Sequence, residues 1–159
     1  MKKKYLFYAF IAAVLLLRIG YYGMTYFPIL DDNIQYGVYS TVANPFAQII
    51  LRFQDYTVRP LAVLTDIYVW SRFWNHMAVA LLLISAMHGI SCVLLYETLN
   101  KMGIRCGVFF VLLYLLMPMG MEATYWISGS SRIIVSLFFA SLAVWCVAKK
   151  GIGWTIAAW

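Results

Sequence analysis

Four long apolar runs decide what this chain can fold into. They cover approximately Tyr5–Tyr22, Asn75–Tyr96, Gly103–Met121 and Ile127–Val147, and each is nearly free of charge. Sixty-four per cent of the residues are hydrophobic and 11% are charged, whereas a soluble domain carries roughly a quarter charged residues. A helix of about 20 mostly apolar residues spans a bilayer with its backbone amides satisfied internally. The expected fold is therefore all-α: a polytopic bundle of about four complete transmembrane helices. Another apolar stretch starts at Gly151 and reaches Trp159. Residues 1–159 thus read as the N-terminal part of a single transmembrane domain, cut within a fifth span.

The lysines set the direction of threading. Lys2, Lys3 and Lys4 precede the first run, Lys101 joins Arg105 after the second, and Lys149 with Lys150 follows the fourth. Alternating helices bring all three clusters to one side, which the positive-inside rule makes cytoplasmic. An integral protein of a bacterial inner (plasma) membrane with a cytoplasmic N-terminus is expected. A cleaved signal peptide is the rival reading of the first run, but Arg18 and the lack of a small-x-small site favour a retained anchor. The net charge of +6 is explained by these clusters. They form no continuous basic face, so nucleic acid is not an expected partner. Cys92, Cys106 and Cys146 have no regular spacing and read as small apolar residues.

The segment from Gly23 to Trp74 is longer than a connector requires. Asn44-Pro45 is a good helix start, and Phe46, Ile49, Ile50 and Phe53 follow at helical spacing. After Pro60, Val63, Ile67, Trp70 and Trp74 repeat the pattern, with Asp66 and Arg72 expected to point away from that apolar face. Short interfacial helices are expected here, with Tyr68, Trp70, Phe73 and Trp74 as an aromatic belt at the membrane edge.

Asp31-Asp32 follows the first run behind Pro28. One reading is a helix cap ahead of Ile34-Gln35-Tyr36. Another is chemical: adjacent carboxylates repel, which raises one proton affinity and suits a general base. Together they could equally hold a divalent metal through hard oxygen ligands. Arg18, Arg52, Arg59, Arg72 and Arg132 all fall outside or at the outer edge, where lysine is absent. Arginine grips phosphate with a two-pronged fork that lysine lacks. Pairing with Asp55, Asp66 or lipid headgroups accounts for Arg52 and Arg72, whereas Arg59 and Arg132 occupy polar, turn-forming stretches and are the candidate phosphate ligands. Met117-Pro118-Met119-Gly120 ends the third run, and Glu122 follows at the membrane edge. Ser128-Gly129-Ser130-Ser131 then precedes the fourth run, where free amides at a helix start would attract an anion beside Arg132.

In this order the pieces resemble the N-terminal part of the GT-C superfamily, the family C membrane glycosyltransferases. An acidic pair follows the first span and Arg59-Pro60-Leu61 precedes the second. A Pro118-x-x-x-Glu122-x-x-x-Trp126-Ile127-Ser128-Gly129 stretch joins the third and fourth. The likeness runs from about Leu30 to Lys149 and is to the protein O-mannosyltransferase-like and tetratricopeptide-bearing membrane branches. It implies transfer of a sugar from a polyprenyl-phosphate donor to an acceptor on the extracytoplasmic side. It also implies that Asp31 or Asp32 activates the acceptor hydroxyl, with Asp32 nearer the following helix. Glu122 matches the acid of the second external loop, and Arg59-Pro60 matches the family's Arg-Pro step. The chain departs from that pattern at Met117-Pro118, where relatives often have His-Pro, and at Ser130-Ser131-Arg132, where they often have Arg-x-Asp. His76 and His88 remain in the second span, with Val79 and Leu83 between them. His88 is expected to hydrogen-bond a neighbouring helix. Two readings from other classes use the same charges without chemistry: a transporter or flippase for an anionic lipid, and a structural membrane subunit.

Overall fold

The computed structural model describes residues 2–22, 37, 40, 60–105, 107–117 and 126–149, and among them every regular element is helical. Lys2–Tyr22 forms α1. Pro60 opens α2, Pro60–Tyr68, where a missing N–H and a preset φ suit the first helical turn. A 3-10 segment, Trp70–His76, leads into α3, Met77–Lys101. Past Lys101 the amides of Met102, Gly103 and Ile104 bond back to the carbonyls of Thr98, Asn100 and Leu99 at 3.0–3.1 Å. Gly103 takes a φ of 73° there, in the left-handed region that glycine enters without a Cβ clash. Two further helices follow, α4 at Gly107–Leu116 and α5 at Ile127–Ala148.

The other helices pack around α3. Phe7 of α1 meets Tyr96 with ring centroids 4.5 Å apart, Ile11 packs in one cluster with Cys92, and Leu15 reaches Gly89. As numbers rise along α1 they fall along α3, so the two are antiparallel. Leu99 lies against Gly107, and His88 stands edge-on to Tyr114, which makes α4 antiparallel to α3 as well. Ile134 of α5 packs with Met77, Ala80 and Ile84, and Trp145 shares a cleft with Glu97 and Lys101. That helix therefore runs parallel to α3. The chain passes up and down the bundle in alternation, and Lys3, Lys4, Lys101 and Lys149 gather at one end.

Two helical stretches are long and apolar enough to cross a membrane: Lys3–Tyr21, of 19 residues, and Trp70–Lys101, of 32 residues, in which the 3-10 segment and α3 run on without a break. The expected four spans are met in part. α4 is described over 10 residues, and the remainder of that expected span, to Met121, lies outside the described residues. α5 ends within one residue of the expected Val147, but its polar first turn shortens the apolar portion to Arg132–Ala148. Within the second apolar run the α-helix begins at Met77 instead of Asn75 because Trp70–His76 winds as 3-10 helix, and in the third run the helix begins at Gly107, past the turn that Gly103 makes. α2 matches the short helix expected after Pro60. The helix expected from Asn44 and the stretch from Gly151 lie outside the described residues.

The seam between α1 and α3 is close at Gly89. A Cβ built there would stand 2.6 Å from Leu15 Cδ1. Gly20 has nothing within 4 Å of the same position. Gly89→Val should therefore lower stability by about 1–3 kcal/mol through overpacking, with Gly20→Val falling well short of that. Unfolding in detergent, followed by circular dichroism, measures both.

Candidate functional site

The described residue of the predicted site is Arg132, one turn into α5, and its neighbourhood is built by α2. In α2, Ile67 turns into the core with Trp70 and Ile84. Asp66, one position earlier, was expected to point away from the apolar face, yet it is 2% exposed. α5 lies beside this part of α2, and Arg132 Nη2 donates to Asp66 Oδ2 at 3.3 Å. A buried carboxylate is tolerated where a cation meets it. The Arg132 side chain remains 30% exposed. The pair thus has a sheltered acidic side and an accessible basic side.

The accessible side opens onto a cleft of about 450 Å³ between α2 and α5. Leu61, Ala62 and Thr65 form one wall, Val135 and Phe139 the other, with Arg132 as the cation on the lining. Leu61 and Phe139 are largely exposed at its mouth. An apolar trough carrying a guanidinium can hold an amphiphile with an anionic head, the head on the fork and the chain on the aliphatic and aromatic wall.

Several expectations change at this end. Ser128, Gly129, Ser130 and Ser131 lie inside the first turn of α5 instead of ahead of it, because the helix starts at Ile127 with Trp126 as an N-cap that makes no side-chain capping bond. Trp70 is buried in the core, so the aromatic belt keeps Tyr68 exposed and Phe73 and Trp74 half-buried without it. Trp74 lies close to Gly37, where an added Cβ would stand 3.2 Å from its Cζ2. Arg72 and His76 are exposed. Asp31, Asp32, Arg59 and Glu122, and with them the possible divalent-metal ligands, lie outside the described residues. Among the described residues no three His, Cys, Asp or Glu side chains gather as a metal site.

A second polar group sits deeper. Arg18, towards the end of α1 remote from the lysines, is buried, and its Nη2 donates to the Leu115 carbonyl at 2.5 Å. That carbonyl belongs to the last turn of α4, where helical acceptors lack intrahelical donors and the dipole favours a cation. Arg18 therefore ties α1 to the end of α4. His88 is 0% exposed and stands edge-on to Tyr114 at 5.0 Å. Its contact with a neighbouring helix is through the ring; the hydrogen bond expected for it is not found among the described residues. Cys92 and Cys146 are free and buried, as small apolar residues would be.

No family model, curated protein or solved structure matches this chain.

The unequal exposure of the Asp66–Arg132 pair predicts unequal costs. Arg132→Met removes a cation from a carboxylate that stays buried, and should cost about 3–5 kcal/mol. Asp66→Asn leaves a guanidinium that already reaches solvent and should cost about 1 kcal/mol. The double variant should recover part of the Arg132→Met loss. Chemical unfolding of the three variants in detergent measures these values, and equal single-variant costs would contradict the pairing.

Proposed function

We propose that α1, α3, α4 and α5 all cross a membrane, with the lysine-bearing end cytoplasmic and the Asp66–Arg132 end extracytoplasmic. In this reading the protein serves glycosyl transfer from a polyprenyl-phosphate sugar, with Arg132 binding the donor phosphate. The observation that carries it is the placement of Arg132: a cation backed by a buried aspartate, on the wall of an apolar cleft. A polyprenyl chain suits the surface formed by Leu61, Val135 and Phe139. Its phosphate suits the exposed part of the guanidinium, which a planar fork can grip at two oxygens.

The chemistry assigned to this site follows the sequence resemblance. Asp32, or Asp31, takes the proton of an acceptor hydroxyl as that oxygen attacks the anomeric carbon. The bond from the anomeric carbon to the donor phosphate breaks, and the lipid phosphate leaves with the electron pair. Arg132 and Arg59 stabilise the negative charge that remains on the phosphate. Glu122 is the second acidic candidate. Asp66 does not bind donor; it keeps the Arg132 side chain in position.

Lysine in place of Arg132 keeps the charge that Asp66 needs but loses the fork. Arg132→Lys should therefore fold normally while binding a polyprenyl-phosphate sugar roughly tenfold more weakly, a loss within the range for a charge-assisted bond. Arg59→Lys should behave alike, and Arg72→Lys should bind as the parent does. Asp32→Asn should bind donor normally but lose about 10²–10⁴ in transfer rate, the usual scale of general-base removal. Donor binding and transfer of radiolabelled sugar in membranes are the readouts. Undiminished binding in both lysine variants would remove the phosphate role, whereas arginine-dependent binding without transfer by the parent would leave a lipid transporter.

A further inference from the structure

The lysine-bearing end of the bundle holds a second cleft, about 340 Å³ in volume, between the last turns of α3 and α5. Glu97, Thr98, Asn100, Lys101, Trp145 and Lys149 contribute to its walls. Such a volume lies in the range of small-ligand sites. Lys149 holds its ammonium 4.3 Å from the Trp145 ring centroid, at the rim. Glu97 already has partners, since the Lys4 ammonium pairs with it and the Tyr8 hydroxyl donates to it. Lys2, Lys3, Lys4, Lys101, Arg105 and Lys149 are the described bases at this end and Glu97 is the described acid, so the local field is positive.

Lysines at helix C-termini often do no more than offset the dipole and bond the last carbonyls. Here the backbone itself meets several of those carbonyls. Thr98, Leu99 and Asn100 accept from the amides of the Gly103 turn, and Cys146 accepts from the Lys149 amide. Thr98 supplies an independent sign of a ligand. It is 2% exposed, it lines the cleft, and its Oγ1 has no hydrogen-bond partner among the described residues. A threonine in a helix usually bonds back to the preceding turn. An idle buried hydroxyl is costly unless something else meets it.

We infer that the cleft between Lys101 and Lys149 binds the phosphate ester of an anionic membrane lipid, with the Thr98 hydroxyl donating to a phosphate oxygen. Basic pockets between helices on the cytoplasmic side suit such headgroups, and Trp145 sits at the level where indoles prefer the interface. The site lies at the opposite end of the bundle from Arg132 and does not depend on sugar transfer.

Native mass spectrometry of the full chain in detergent tests this with phosphatidylglycerol and phosphatidylcholine of identical acyl chains. The parent should retain phosphatidylglycerol about tenfold better, in keeping with the attraction of two lysines. Lys101→Gln/Lys149→Gln should abolish that preference, and Lys101→Arg/Lys149→Arg should keep it. Thr98→Val should reduce it several-fold. Lys3→Gln/Arg105→Gln, with the same loss of charge outside the cleft, should leave it intact. The Lys101/Lys149 glutamine variant should still bind polyprenyl-phosphate sugar, which separates failure of this site from failure of the Arg132 site. Equal retention of the two lipids by the parent, equal loss in both glutamine variants, or displacement of the lipid by excess inorganic phosphate would overturn the assignment.

Discussion

α3 is the helix on which the others pack, and they cover one part of its circumference while Val79, Leu82, Leu83 and Ile90 stay exposed. Towards its first turns, Met77, Ala80 and Ile84 are covered by Ile67, Trp70 and Ile134. Towards its last turns, Cys92 is covered by Ile11, Val111 and Leu115. Ala80, Ser85, Gly89, Ser91 and Cys92 are all buried, and such small residues let helix backbones approach where lipid weakens the hydrophobic drive. Ser91 and Ser141 return their hydroxyls to the carbonyls of Met87 and Leu137 at 2.8 and 2.7 Å, so these hydroxyls are satisfied without breaking the packing.

This packing leaves charge at the two ends, and each end handles it differently. At one end Glu97 gathers Lys4 and Tyr8 around itself, and Lys101 and Lys149 line the neighbouring cleft. At the other end, Asp66 withdraws into the interior and leaves Arg132 partly in reach of the surface. In both cases the carboxylate is more sheltered than the cation it meets. Both clefts therefore carry cations on their walls, beside an apolar surface at the Arg132 end and beside Trp145 and Thr98 at the lysine-bearing end. Phosphate-bearing lipids are the common chemistry that two such sites would recognise.

The helices were legible in the sequence because charge-free length and lysine position are local signals. Pro60, Lys101 and Ala148 fall close to where composition places the ends of elements. Pairings across the bundle were not legible. Asp66 reads as a surface residue by helical spacing, and it is buried because Arg132, 66 residues later, reaches it. The sequence offers Asp66 as a partner for an external arginine but points to Arg52 and Arg72, not Arg132, for that pairing. Arg18 reads as an edge residue from its place in α1, and its partner, a carbonyl at the end of α4, is 97 residues away in sequence. Trp70 reads as an anchor, but it is buried in one cluster with Ile67, Met77 and Ile84. Of the predicted site, Arg132 alone falls among the described residues, while Asp31, Asp32, Arg59 and Glu122 do not.

The central claim is that the two ends of α3 lie on opposite sides of a membrane. Asn75, just ahead of α3, and Asn100, in its last turn, are both exposed. Each can be replaced by cysteine in a background lacking Cys92, Cys106 and Cys146, and intact cells can then be treated with an impermeant thiol reagent. Asn75→Cys should be labelled in intact cells, and Asn100→Cys only after the membrane is opened. Labelling of Asn100→Cys with protection of Asn75→Cys, or the same labelling of both in intact cells, would contradict the account.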